Sequence, residues 1–213
     1  MRNKQSPEDD ITQRKFWDDQ YSSSKQMWSG NANITLRRYV HELEPTNALE
    51  LGCGEGGDAI WLAKIGWQVT ATDISKIAIN RAIKAANNSP VYNKISFAQH
   101  DLSQSFPNGT FGLVSVHYLH SPIEFDKTAV LKKALLAVGI DGHLLIVDHA
   151  GPPPWSQHHH SPFPSVKETY DSLKLDQDKW KTIKLEKCKR EAMSPNGHRV
   201  MLEDNVIFLR RLK

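Results

Sequence analysis

A glycine-rich loop between an apolar strand and a helix is the feature that most constrains how this chain of 213 residues can fold. The strand pattern at residues 48–51 runs directly into residues 52–57 (GCGEGG), and a helical pattern follows from Asp58. Glycine lets the backbone turn sharply and leaves room for a ligand, because it has no Cβ. The first N–H groups of the following helix are free to contact a molecule in the loop. Residues 52–57, which we call the motif loop, are therefore predicted to bind a ligand.

A second predicted strand places a carboxylate at a suitable distance from the motif loop. Residues 68–72 form a strand pattern that ends at Asp73, about 20 residues after the loop, where an acid can bind both hydroxyls of a ribose. Ser75 can then cap the next helix by accepting a backbone hydrogen bond. Together these features predict the nucleoside-binding half of a doubly wound sheet.

The glycine spacing leaves more than one nucleoside open. Gly52, Gly54 and Gly57 fit the pattern GxGxxG, which also occurs in proteins that bind nicotinamide dinucleotides. A nicotinamide oxidoreductase is therefore one alternative on spacing alone.

The charges around the motif loop favour a cationic ligand. Glu50, Glu55 and Asp58 surround the loop, and unit charges a few ångströms apart interact by about 4 kcal/mol at intermediate dielectric. Three carboxylates would repel a pyrophosphate but suit S-adenosylmethionine, which carries a sulfonium, an ammonium and a ribose and has no phosphate. The alternative is that Glu55 and Asp58 are acids that only counter the helix dipole.

The motif loop also carries a family resemblance. Residues 50–56 (ELGCGEG) resemble motif I of the class I S-adenosylmethionine-dependent methyltransferases. Residues 28–33, followed by residues 48–75, are similar to small bacterial methyltransferases of the tellurite-resistance and thiopurine type. The resemblance covers nearly the whole chain. It implies an α/β fold with a doubly wound, Rossmann-like, mostly parallel sheet of seven strands that ends in an antiparallel hairpin. It also implies an N-terminal helical cover at residues 1–46 and a cofactor-binding domain at residues 47–213.

The resemblance implies a set of cofactor-binding residues. They are Trp28, Glu50, Gly52, Cys53, Gly54, Gly56, Asp73, Ile74, Asp101, Leu102 and His117. Asp73 matches the ribose position, and Asp101 matches an acid that accepts a hydrogen bond from the adenine amino group; the alternative for Asp101 is a turn aspartate. Trp28 is a candidate lid residue, because an indole face near a sulfonium contributes up to about 2 kcal/mol when desolvated. The alternative for Trp28 is a core position.

Hydrophobic periodicity predicts the remaining elements. Helices are expected at residues 8–20, 34–43 and 165–173, with a polar joint at 21–25 and a further helix closed by Gly139. Strands are expected at residues 94–98, 111–116, 143–148, 180–191 and 200–210.

The candidate catalytic residues are His117 and His120, which follow the predicted fourth strand. Ligands of open α/β sheets lie beyond the carboxyl ends of the strands, and imidazole titrates near neutral pH. A base accelerates methyl transfer only when the acceptor must lose a proton. The alternatives are a cofactor contact for His117 and pocket packing for His120.

The methyl acceptor is expected to be a small molecule, such as a thiol or a chalcogen oxyanion. Residues 117–120 (HYLH) lack the Asn/Asp-Pro-Pro-aromatic pattern of enzymes that methylate base amines, and no Pro-Cys nucleophile is present. Two further alternatives stay open. One is an RNA methyltransferase that uses the basic residues Lys184, Lys187, Lys189, Arg190 and Arg199; the other is a methyltransferase-like binding module without catalysis.

Composition sets the remaining expectations. The formal net charge of +3 does not require a nucleic-acid partner, and the two cysteines provide neither a disulfide framework nor a zinc pattern. The sequence shows no membrane-spanning run and no hydrophobic signal core, so a cytoplasmic protein is expected. We also expect it to be a monomer or a homodimer. Residues 158–160 are three histidines, but neighbours in an extended loop point in different directions, so no metal site is expected.

Overall fold

Helices and strands alternate along the computed structural model, which describes residues 12–156 and 163–213. The helices of this part of the chain are α1 (Gln13–Ser22), α2 (Ile34–Val40), α3 (Gly57–Lys64), α4 (Lys76–Asn87), α5 (Lys127–Ala137) and α6 (Val166–Leu173). The strands are β1 (Asn47–Leu51), β2 (Gln68–Asp73), β3 (Ile95–Gln99), β4 (Phe111–His117), β5 (Val138–His149), β6 (Trp180–Met193) and β7 (Arg199–Arg211). A short 3₁₀ helix, Tyr92–Lys94, precedes β3.

The strands form one sheet in the order β3-β2-β1-β4-β5-β7-β6. Neighbours from β3 to β5 are parallel, whereas β7 runs antiparallel to both β5 and β6. The predicted doubly wound sheet with a C-terminal antiparallel hairpin is therefore confirmed. The strand order reverses between β1 and β4, and such a switch point opens a crevice at the carboxyl ends of the strands.

Alternating side chains of β5 pack on opposite faces of the sheet. Leu144 and Ile146 join a core cluster with α5 and α6, while Leu145 and Val147 join a cluster with α2, α3 and α4. All four side chains are almost completely buried. This double burial explains why the strand is a continuous apolar run and shows no polar alternation.

Local capping agrees with the sequence. The Ser75 side chain accepts a hydrogen bond from the Ala78 backbone N–H and caps α4, as predicted. Ser165 and Glu168 form a reciprocal capping box at the start of α6.

Two predicted boundaries are corrected by tertiary contacts. Helix α1 continues through Ser22, so Tyr21 lies in the helix and is buried, and does not begin a polar joint. Gly139 lies inside β5 and does not close α5, because Val138 is extended, buried and paired with Phe111 of β4. The start of the first predicted helix and the three histidines at 158–160 lie outside the described residues. Within residues 12–156 and 163–213, no helix combines the length and apolar character needed to cross a membrane.

Candidate active site

A cavity of about 270 Å³ lies at the switch point of the sheet. Its walls come from the motif loop, the ends of β2, β4 and β5, and the segment between α1 and α2. Nine of the predicted cofactor residues line it: Trp28, Glu50, Gly52, Cys53, Gly54, Asp73, Ile74, Leu102 and His117. The candidate base His120 lines it too, whereas Gly56 and Asp101 are not among its lining residues.

Backbone hydrogen bonds tie the motif loop to the end of β2. The N–H groups of Gly52 and Cys53 both donate to the Thr72 carbonyl at 2.8 Å. The Gly54 N–H donates to Asp73 Oδ2 at 2.9 Å. Gly54 adopts a left-handed conformation with φ of 52°. The loop and the predicted ribose carboxylate therefore form one rigid unit.

Asp73 is a buried carboxylate with backbone donors on both oxygens. Its Oδ1 accepts from the Ser75 N–H at 2.9 Å, and its Oδ2 accepts from Gly54. Burial raises the pKa of Asp73 to about 6, although these hydrogen bonds act in the opposite direction. A ligand hydroxyl that donates to Asp73 would therefore favour the ionised form.

Glu50 carries a buried oxygen without a partner. The residue is 4% exposed, and its Oε2 accepts no hydrogen bond from the described residues. Burial raises the pKa of Glu50 well above its usual range, and the nearby Asp58 and Asp73 raise it further. An unpartnered carboxylate oxygen in a buried site is energetically unfavourable, so a cationic donor from a ligand would stabilise it.

The prediction that Glu55 helps to attract the ligand is corrected. Glu55 Oε1 lies 2.8 Å from Arg81 Nη1, and its Oε2 accepts from the N–H groups of Met27 and Trp28 at 3.1 and 2.9 Å. Its charge is therefore balanced within the protein. Glu55 therefore connects two parts of the protein. One is the segment that follows α1, and the other is helix α4, which carries Arg81.

Asp58 holds the same segment at a second point. Its Oδ1 and Oδ2 accept from the backbone N–H and the side-chain amide of Asn33 at 2.6 and 2.8 Å. Among Glu50, Glu55 and Asp58, only Glu50 therefore keeps an unpartnered oxygen.

Trp28 lies over the motif loop. Its Nε1 donates to the Tyr21 hydroxyl at 3.1 Å, and a Cβ on Gly54 would approach Nε1 to 3.2 Å. The side chain lines the cavity, yet the residue is 53% exposed. The alternative that Trp28 is a core residue is therefore wrong.

Arg81→Met is expected to lower the free energy of unfolding by about 2 kcal/mol, because it leaves the Glu55 charge buried without its cation. The guanidinium also donates from Nη2 to the carbonyls of Tyr21 and Ser24. Chemical denaturation measures the change. The matched control is Lys15→Met, which breaks an exposed pair with Asp19 and is expected to change the stability by less than about 0.5 kcal/mol. Equal effects of the two substitutions would contradict the assignment of Arg81 as an anchor.

His117 and His120 occupy different environments. His117 Nδ1 lies 3.0 Å from the Ser115 hydroxyl and 3.9 Å from Asp58 Oδ2, and its buried Nε2 has no hydrogen-bond partner among the described residues. Burial lowers the pKa of His117. The ring of His120 packs edge-on against that of Trp17, and burial together with the neighbouring His149 lowers its pKa.

The sequence reasoning missed two residues near His120. His149 lines the cavity beside Tyr118, and Asp204 lies behind them, fully buried. His149 follows the predicted end of its strand by one residue, so a search for polar residues at strand ends could have found it. No local signal marks Asp204, because the pairing of β5 with β7 brings it to the site.

Comparisons with known proteins show what the chain is similar to. The family model for thiopurine S-methyltransferase (TPMT) matches residues 12–114. Thiocyanate methyltransferase 1 from Brassica oleracea is 30% identical over 114 residues, which are 51% of this chain and 50% of that protein. The chain thus spans about half the length of this curated relative.

Two solved structures share the fold. One, described for the conversion of a disulfide bond into a thioacetal group during echinomycin biosynthesis, has a TM-score of 0.70, with 19% identity over 93% of each chain. The other is the N-methyltransferase NodS from Bradyrhizobium japonicum with S-adenosyl-L-homocysteine, at a TM-score of 0.60, with 17% identity over 95% of this chain and 91% of that chain. Residues 12–114 are therefore similar to thiopurine S-methyltransferase, and the chain shares its fold with solved methyltransferase structures.

Proposed function

We propose that the protein binds S-adenosylmethionine in the cavity beside the motif loop and transfers its methyl group to a small acceptor. The observation that carries this proposal is the charge of the cavity. Four acids line it, and three of them, Glu50, Asp58 and Asp73, form no ion pair with a Lys or Arg of the described residues, whereas Glu55 pairs with Arg81. No Lys or Arg of the described chain lines the cavity. Such a lining suits a cationic nucleoside without phosphate, and it disfavours a nicotinamide dinucleotide.

The cofactor is proposed to lie along the switch point. Asp73 would accept the ribose hydroxyls, and Ile74 and Leu102 would enclose the adenine. Asp101 Oδ1 accepts a turn hydrogen bond from the Ser103 N–H at 3.0 Å, so Oδ2 is the oxygen left for the adenine amino group. Glu50 would face the cationic methionine end. We also propose that residues 1–46 act as a cover over the cofactor, with Trp28 at its inner face.

The methyl group passes directly between the two bound molecules, so the protein needs to form little or no covalent bond with either of them. An acceptor atom attacks the methyl carbon in line, the bond from that carbon to the sulfonium breaks, and S-adenosylhomocysteine leaves. Holding the two molecules aligned contributes on the order of 7–11 kcal/mol to such reactions.

A sulfur nucleophile is the acceptor we favour. The matching family model and the thiocyanate methyltransferase relative are both named for sulfur-containing acceptors. In this chain Trp17, Leu119 and Phe125 form an apolar wall of the cavity, which suits a soft, weakly hydrated atom. A chalcogen oxyanion stays a second possibility within the same class of small acceptors.

The basic hairpin gives less support to an RNA acceptor. Arg190 pairs with Asp204 at 2.7 Å, and Arg199 lies 3.3 Å from Glu191. Two of the five basic residues considered for RNA binding are thus engaged by carboxylates. Action in the cytoplasm, and as a monomer or homodimer, stays a prediction from the sequence.

Calorimetry with S-adenosylmethionine, S-adenosylhomocysteine and NADH tests the cofactor. We expect binding of the first two and none of NADH; the reverse would refute the proposal. An acceptor screen with alkyl and aryl thiols, thiocyanate, selenite, tellurite and RNA then tests catalysis. Cofactor binding with no turnover would favour a non-catalytic module, and turnover of RNA alone would refute a small acceptor.

The affinity for S-adenosylmethionine is expected to rise as the pH increases from about 5 to about 7. The pKa of Asp73 is about 6 in the free protein, and a bound cation with donating hydroxyls lowers it. Binding near pH 6 therefore releases a proton, so affinity increases with pH until Asp73 is ionised in the free protein. Calorimetry in buffers of different ionisation enthalpy measures this release. Asp73→Asn is expected to bind weakly at every pH and to reduce the slope, with the remainder coming from Glu50, whose pKa burial also raises; an undiminished slope in this variant would assign the proton to another group.

A further inference from the structure

Four side chains meet behind the acceptor end of the cavity, and the sequence analysis gave none of them a role in catalysis. Tyr118 follows β4, His149 ends β5, Arg190 lies on β6 and Asp204 lies on β7. We call them the Asp204 cluster. Asp204 is opposite His149 in the β5–β7 register, so the sheet itself sets the relative position of these two residues.

Asp204 is a buried carboxylate whose two oxygens differ. Oδ2 accepts from the Tyr118 hydroxyl and from Arg190 Nε, both at 2.7 Å. Oδ1 is buried without a hydrogen-bond partner, and His149 Nδ1 lies 3.6 Å from it. Burial alone would raise the pKa of Asp204, but His149, Tyr118 and the charge of Arg190 outweigh it and lower the pKa. The carboxylate therefore stays ionised and needs one more donor at Oδ1.

His149 is held so that it can be that donor. Its ring stacks on the Tyr118 ring with centroids 4.3 Å apart and an interplanar angle of 18°. Tyr118 is itself fixed, because its N–H donates to the Val147 carbonyl and its hydroxyl donates to Asp204. Nδ1 is turned to Asp204, and His149 lines the cavity, so Nε2 is the ring nitrogen available to a molecule bound there. Catalytic hydrogen bonds are often long in unliganded proteins and shorten when substrate binds.

The two histidines predicted from sequence lack this arrangement. His117 is bound at Nδ1 to Ser115, and only 5% of its side chain is exposed. His120 contacts the rings of Trp17 and His149. His117 also lies 3.9 Å from a buried carboxylate, that of Asp58, but His149 combines a buried carboxylate partner with a side chain that is 29% exposed.

We propose that His149 is the general base of the methyl transfer, with Asp204 as its positioning residue; this inference rests on the proposed methyltransferase function. Asp204 holds the proton on Nδ1, and Tyr118 and Arg190 hold Asp204. The acceptor class is a protonated nucleophile such as a thiol. Its S–H proton passes to His149 Nε2, its sulfur electron pair forms the new S–CH₃ bond, and the sulfonium C–S bond breaks. The products are the thioether, S-adenosylhomocysteine and an imidazolium, which returns its proton to water.

The first test compares two acceptors in His149→Gln. Ethanethiol must lose a proton, whereas thiocyanate has none to lose. Below the pKa of the thiol, we expect kcat for ethanethiol to fall about 100-fold and kcat for thiocyanate to change less than about threefold. The loss with ethanethiol should shrink as the pH approaches the pKa of the free thiol. Equal losses with both acceptors would overturn the proposal.

Control measurements distinguish the loss of a general base from an effect on folding or on cofactor binding. The matched control is His198→Gln, an exposed residue between β6 and β7 that is not among the residues lining the cavity, and this variant is expected to match the wild type with both acceptors. The Kd for S-adenosylmethionine should stay within about threefold in His149→Gln, since His149 is assigned to the acceptor.

The second test does not require turnover. In ¹⁵N NMR of the full chain with S-adenosylhomocysteine, His149 is expected to be neutral with its proton on Nδ1. The groups that face its ring are Asp204, Tyr118 and His120, and Arg190 lies over the Tyr118 ring and pairs with Asp204. Asp204→Asn should shift the proton toward Nε2, and Tyr118→Phe, a milder change, should do so partly.

The outcomes distinguish this proposal from the proposed function. A proton on Nε2 in the wild type would overturn the base assignment even if methyl transfer is observed. If S-adenosylmethionine binds but neither thiol nor thiocyanate is methylated, the proposed sulfur acceptor fails, and the position of the proton still decides whether Asp204 orients His149.

Discussion

Glu50→Gln is expected to weaken S-adenosylmethionine binding about 100-fold and, at the same time, to stabilise the unliganded protein. The loss of affinity follows from charge: removing one of two interacting unit charges forfeits up to about 4 kcal/mol at intermediate dielectric, and 100-fold corresponds to about 2.7 kcal/mol. The gain in stability follows from burial, because Glu50 Oε2 has no partner and Asp58 and Asp73 lie nearby. We expect the free energy of unfolding to rise by about 1 kcal/mol or more at neutral pH.

The stabilisation expected for Glu50→Gln depends on pH, and its direction of change can be derived. Burial raises the pKa of Glu50 in the folded state, so between the unfolded and folded pKa values the folded protein binds more protons. The wild type therefore loses stability as the pH rises through this range, whereas the glutamine variant does not. The stabilisation should be larger at about pH 8 than at about pH 5.

Denaturation and calorimetry on the same samples measure both effects. The matched control is Glu42→Gln, whose side chain is 85% exposed and for which neither quantity should change appreciably. A Glu50→Gln protein with wild-type affinity would exclude Glu50 from the cation site. A protein that is destabilised at every pH would mean that the glutamate has a partner in the folded state.

Gly54→Val is expected to lower the affinity for S-adenosylmethionine by more than about 100-fold. Gly54 has φ of +52°, a conformation that costs a side-chain-bearing residue roughly 1–2 kcal/mol. Its Cβ would also lie 3.1 Å from the Tyr21 hydroxyl and 3.2 Å from Trp28 Nε1, so both side chains must move. The larger effect comes from occupied space, because the valine side chain would fill the turn that the ligand approaches.

Two other glycines separate these causes. Gly197 also has positive φ, but nothing lies within 4 Å of its Cβ position, so Gly197→Val tests backbone strain alone. Gly151 has open space and no positive φ, so Gly151→Val tests neither cause. We expect Gly197→Val to lose about 1 kcal/mol of stability with normal cofactor affinity, and Gly151→Val to resemble the wild type. If Gly54→Val bound the cofactor as well as Gly197→Val does, the motif loop would not be the binding site.

Much of the fold could be predicted because its signals are local. The motif loop, the Ser75 cap and the apolar run of β5 depend on residues that are close together in the chain. Such residues set backbone freedom, capping and strand burial before any distant contact forms. The crevice at the ends of β1 and β4 followed from the strand pattern, since parallel strands end at one edge of a sheet.

The charges of the site could not be predicted in the same way. Glu55 was expected to face the ligand, but Arg81 reaches it from a helix 26 positions later in the chain. His149 was passed over because the residue that gives it a role, Asp204, lies on a strand near the end of the chain.

The sequence by itself thus determined the first parallel strands of the sheet, the motif loop and the position of the carboxylate of Asp73. Only the tertiary structure decided which acids are neutralised, which oxygen of Glu50 lacks a partner, and which histidine has a carboxylate behind it. The physical reason is that conformational preference is a property of neighbouring residues, whereas desolvation and ion pairing depend on groups that folding alone brings together.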